Sequence, residues 1–189
     1  MPLKGDLINK KRHTVTMINQ NYEHIINQLK QDIRPRVQNS PELIQALIED
    51  LKNTTIPKGP TLCVACHLAN PEKLIGELLV ELLSGKLPNE TQIFILDGIQ
   101  KHILDARMIS GDRLDSKFLT NFNAYLKSAP KSVLYFAVSI VEGCGSQAIF
   151  FRNTLKDLKW GFLDAFKQQH RDTIARIDAL EKRWQKIVK

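Results

Sequence analysis

Apolar residues recur at helical spacing over much of this chain and collapse into short unbroken runs in three places. Ile18, Tyr22, Ile25, Ile26, Leu29 and Ile33 line one face of a helix predicted from about Thr16 to Pro35. Ser40-Pro41-Glu42 then opens a second helix: a serine N-cap, a proline at the first helical position and an acid at the positive end of the dipole. Its buried stripe is Leu43, Ile44, Leu47, Ile48 and Leu51. Asn70-Pro71-Glu72 repeats that start, with a helix carried by Leu74, Ile75, Leu78, Leu79 and Leu82 as far as Gly85. Further helices are predicted from about Leu114 to Leu126 and along the segment after Gly145, with a bend near Gly161. The last stretch reads as a heptad, Leu163, Phe166, His170, Thr173, Ile177, Leu180, Trp184 and Ile187. Its two polar members favour packing on the domain's own flank, with oligomerisation through this helix as the alternative.

The three runs, predicted as strands 62–66, 92–96 and 133–141, each lead into polar or small residues and then a helical pattern. Alternating strand, turn and crossover helix gives a helix-rich α/β fold with a small parallel sheet. Val133, Val138, Ile140 and Val141 supply the β-branched side chains that favour a strand. An all-α fold is the alternative, because short apolar runs also describe buried helix segments. Asn89-Glu90-Thr91-Gln92 resembles a capping box opening a helix from 90 to 108. In domain terms the chain divides into a flexible basic leader (1–14), an N-terminal helical hairpin (15–53) and a core domain (61–189) ending in a long basic helix. Pro57, Gly59 and Pro60 mark the linker.

Charge sharpens this picture. The net +7 is split as +4 over residues 1–40, −1 over 41–152 and +4 over 153–189. Two basic ends therefore flank a near-neutral core, the layout of a protein that engages an acidic protein partner or nucleic acid. The binding residues expected on this basis are Lys10, Lys11, Arg12, Arg171, Arg176, Lys182, Arg183 and Lys186. A protein partner is favoured, since no recognised nucleic-acid-binding signature occurs. Neither a spanning apolar stretch nor a signal-peptide core is present, and three cysteines suit a reducing compartment, so the expected location is cytoplasmic.

Candidate chemistry centres on the cysteines. Cys63-Val64-Ala65-Cys66-His67 spells the c-type haem attachment pattern. The same residues, completed by Cys144 or His102, are the ligands zinc would take. Free core thiols are the favoured account, with no cofactor and no metal expected. Glu142-Gly143-Cys144-Gly145-Ser146 places a glycine-flanked thiol between an apolar run and a helix start, where a lowered thiol pKa and oxyanion donors are expected. This layout is similar to that of caspase-like cysteine peptidases over about 55 residues. The resemblance implies Cys144 as nucleophile, while Asp97-Gly98 occupies the position of that family's His-Gly. Its base would then be His67 or His102; on the predicted sheet edge His67 serves as base and Asp97 orients it. Asp97 with Asp115-Ser116-Lys117 weakly matches a metal-dependent nuclease. The leading reading is a non-enzymatic helical binding or adaptor protein. Nucleic-acid binding and a Cys144-dependent hydrolase are the alternatives.

Overall fold

A computed structural model describes residues 22–31, 36–53, 58–161, 164 and 166–187. Among them there is no sheet; one isolated parallel bridge joins Val37 to Leu68. The predicted α/β fold is thereby corrected to the all-α alternative. All three predicted strands are helical: 62–66 within α3 (Lys58–His67), 92–96 within α5 (Asn89–Ile99) and 133–141 within α8 (Lys131–Gly143).

The chain forms two compact units, Met1–Asn70 and Pro71–Lys189. In the first, α1 (22–29) precedes α2 (Pro41–Lys52) and α3. Ser40 caps α2 as its sequence predicts, its hydroxyl accepting from the Leu43 N–H at 3.2 Å. α2 buries Leu47, Ile48 and Leu51 and packs on α3. Val37 ties the preceding strand-like segment to the end of α3, donating to the His67 carbonyl and accepting from the Ala69 N–H.

In the second unit, α4 (Lys73–Leu82), α5 and α8 pack together around Ile75, Leu79, Ile95, Leu96, Ile99, Val133, Ala137 and Val138, all buried. α5 does not stop at Ile99. It continues through a π-helical segment, Gln100–Asp105, into α6 (Ala106–Ser110), giving one long helix where the capping-box alternative placed one. The box itself is not formed. Gln92 instead donates to the Leu87 carbonyl and accepts from the Tyr125 hydroxyl, while Asn89 donates to Ser132. The widened π turn brings residues five apart onto one side, so Gln100 donates to Asp105 at 3.0 Å.

The π segment packs closely because two glycines face it. A Cβ on Gly76 of α4 would lie 2.7 Å from Ile103 Cδ1 and 3.0 Å from His102 Cβ, and one on Gly143 of α8 would lie 2.5 Å from Leu104 Cδ1. α7 (Ser116–Ser128) starts on an Asp115 cap, 2.7 Å from the Phe118 N–H, and contributes Phe118, Phe122 and Tyr125 to an aromatic cluster with Phe151. After α8 come a 3-10 segment (Gly145–Phe151), α9 (Arg152–Lys156) and α10 (Gln168–Ile187). α10 lies against α8, burying His170, Thr173, Leu180 and Trp184. This is the flank packing that the heptad predicts, although Phe166 is exposed and Leu163 lies outside the described residues.

Candidate functional site

The cysteines take positions different from those a sheet would give them. Cys144 is fully buried at the junction of two elements, as the C-cap of α8 and the N-cap residue of the 3-10 segment that follows, where its side chain makes no capping bond. Its thiol donates to the Ile140 carbonyl at 3.2 Å. Burial pushes its pKa up to about 12, with the nearby Arg107 cation opposing that shift. Asp97 is an exposed residue in the body of α5, and among the described residues there is no strand end to bring it beside Cys144. His67 belongs to the first unit, where its Nδ1 donates to the Cys63 carbonyl at 2.7 Å. The sheet edge on which Cys144, His67 and Asp97 were to converge is therefore absent among the described residues.

Cys63, Cys66 and His67 occupy the last turn and a half of α3. Cys66 is buried and Cys63 half-buried, its thiol pKa raised by burial. Among the described residues no group of three or more His, Cys, Asp or Glu side chains is arranged to hold a metal ion.

The basic C-terminal helix divides its charges between two uses. On the side that faces α8 they are tied down. Arg176 pairs with Glu142, donates to Ser139 Oγ at 2.8 Å and lies over the Tyr135 ring at 4.8 Å. Arg176, expected on a binding surface, thus ties α10 to α8. Glu181 gathers Arg152 and Lys156, and these contacts, led by Arg152, lower its carboxyl to about 2. At the helix start Asp164 accepts from Lys131 Nζ at 2.6 Å, from the Gly161 N–H at 2.6 Å and from buried His170 Nδ1 at 2.9 Å. Lys131 and the Gly161 amide hold the Asp164 carboxyl well below the usual carboxylate range.

On the outer side, Lys182, Arg183 and Lys186 are exposed in the last turns of α10. None of the three makes an ion pair among the described residues, in contrast to Arg152, Lys156 and Arg176. Arg171, further back on the same helix, is exposed and donates to Gln168. Lys10, Lys11 and Arg12 lie outside the described residues.

Two features are invisible in the sequence. Fully buried His102 sits in the π segment and accepts the Glu72 N–H at Nδ1, 2.8 Å away, so its neutral form carries the proton on Nε2. Arg107, one turn on, donates from Nε to the Asp112 carbonyl and from Nη1 to the Gly143 carbonyl, each at 3.2 Å. Neither has a local signal: the His102–Glu72 and Arg107–Gly143 partners are separated by 30 and 36 positions.

No helix among the described residues is long and apolar enough to cross a membrane. No family model matches the chain, and neither a curated protein nor a solved structure does.

Proposed function

We propose that this protein is a non-enzymatic helical binding protein that engages an acidic protein partner through its basic segments, with the C-terminal end of α10 as the contact. One observation carries the reading. Lys182, Arg183 and Lys186 stand exposed and without ion pairs among the described residues, whereas Arg176 on the inner side of the same helix, and Arg152 and Lys156 of α9 beside it, are each matched to a carboxylate. Three like charges within five residues would repel one another, and the negative end of the helix dipole offsets only part of that. An acidic partner neutralises them. Buried Leu180 and Trp184 on the opposite face anchor the helix, so the charges are presented from a docked element.

The chemistry of the alternatives differs. Nucleic acid binding through phosphate contacts gives a steep dependence on salt and little dependence on the probe's sequence. An acidic protein surface gives a shallower dependence and prefers carboxylates. Fluorescence anisotropy with three probes separates them: a glutamate-rich peptide, a single-stranded oligonucleotide and a duplex. The expected result is saturable peptide binding at low salt that exceeds binding of either nucleic acid. Tighter binding of an oligonucleotide with a steep log-salt slope makes nucleic acid the partner. Failure of all three probes to bind at low salt overturns the proposal.

A further inference from the structure

The turn between α6 and α7 borders a half-open pocket of about 240 Å³ whose chemistry is distinct from that of the α10 end. Its apolar lining comes from Ile103 in the π segment, Ala106 in α6, Leu114 just before α7 and Phe118 in the first turn of α7. Gly111, at φ 74°, ends α6 in the left-handed conformation and reverses the chain so that these four residues face one space. Three cations, Lys73, Arg107 and Arg113, and two carboxylates, Asp112 and Asp115, complete the polar lining together with His102 and Ser110.

Arg107 sets the preference. It is half-buried, yet both of its hydrogen bonds go to neutral carbonyls, and no carboxylate lies within ion-pair distance among the described residues. The half-buried arginines Arg152 and Arg176 each hold a carboxylate. A partly desolvated guanidinium without a counter-charge is unfavourable unless an anion joins it, and its Nη2 retains unused donors. Asp115 is already committed as the cap of α7, accepting the Phe118 N–H. An apolar cavity of about 150 Å³ holds benzene, so this larger one has room for a ring with a short carboxylate arm.

We infer that this cavity is a binding site for a small organic carboxylate with an apolar body. The carboxylate pairs with Arg107, Arg113 supplies long-range attraction at the rim, and the apolar body rests on Ile103, Leu114 and Phe118. The site takes a free small molecule, so it is independent of the partner contact proposed for α10.

The test uses phenylacetate as probe, with 2-phenylethylamine and benzyl alcohol as cationic and neutral counterparts, followed by backbone amide shifts in the full chain. Saturable shifts centred on residues 102–118 are expected for phenylacetate, with binding about tenfold weaker for each counterpart, one charge contact being worth roughly 1.4 kcal/mol. Arg107→Gln is expected to remove that preference. Because Arg107 also braces Gly143, a second variant, Ala106→Phe, fills the cavity while leaving the arginine in place, and it abolishes binding of phenylacetate. Absence of saturable shifts, shifts centred elsewhere, or equal binding of 2-phenylethylamine overturns the inference.

Discussion

Cys144 shows how one side chain can carry a motif and lack its chemistry. The sulfur is buried, bonded to Ile140 and carries a pKa raised to about 12, so almost no thiolate exists near neutral pH. Alkylation of the native protein with iodoacetamide, read by peptide mass spectrometry, should modify half-buried Cys63 first. Cys66 and Cys144 should react only after denaturant is added; rapid native labelling of Cys144 contradicts this placement. Gly76 makes a second case. Alanine there gains helix propensity of about 1 kcal/mol, but its Cβ would meet Ile103 and His102 within 3.0 Å. His102 Cβ cannot swing away as a flexible chain end can, so overpacking of about 1–3 kcal/mol wins. Gly76→Ala is expected to lower stability in urea unfolding, and adding Ile103→Val to recover part of the loss. The sequence marks Gly143 only as part of a turn. Its use in the fold, a close approach by Leu104, depends on residues far along the chain and has no local signature.

Among the elements, the helices with one wet face were legible and those buried on several sides were not. Ser40 and Asp115 cap as their types require, and the stripe of α2 follows its spacing. α8 contacts α5, α10, the π segment and the 3-10 segment, so its run from Val133 to Val141 has no continuous polar stripe to reveal the helical period. Its β-branched residues tip a propensity argument towards strand, and tertiary packing overrides that weak preference. The shorter runs in α3 and α5 are likewise largely buried, with Leu62, Val64, Ala65, Cys66, Ile95 and Leu96 all inside. α10 is fixed by contacts the sequence does not pair, and these set its pH response. Asp164, held by Lys131, the Gly161 amide and His170, and Glu181, held by Arg152 and Lys156, both have carboxyls lowered in the folded state. A lowered carboxyl stabilises the fold above its unfolded pKa of about 4 and loses that contribution as pH falls through the folded value. Thermal unfolding should therefore show Asp164→Asn less stable than the parent chain from neutral pH to about pH 5, with the two converging below about pH 4. A gap that stays constant or widens in acid contradicts this role. Leu180→Ala, which opens a cavity beneath the same helix, should cost about 3 kcal/mol irrespective of pH.

For the molecule as a whole, the charge split is what the sequence shows most directly, yet it does not distinguish a cation that fastens helices from one that faces outward. Arg176 and Lys182 look alike as letters; one is closed into Glu142, Ser139 and Tyr135, and the other stands in solvent. The central claim is that location, and not net charge, makes the end of α10 a binding surface. Two triple variants with identical charge change test it in the peptide anisotropy assay. One carries Lys182→Glu, Arg183→Glu and Lys186→Glu. The other carries Lys86→Glu, Lys127→Glu and Lys159→Glu, at exposed lysines elsewhere in the same unit. Circular dichroism verifies that both remain helical, since reversing charge near a helix C-terminus costs only about 1 kcal/mol per residue or less. The expected result is a loss of more than about tenfold in affinity for the glutamate-rich peptide in the α10 variant, with the control within about threefold of the parent. Equal losses in the two variants would mean that diffuse charge alone attracts the peptide and would contradict the claim.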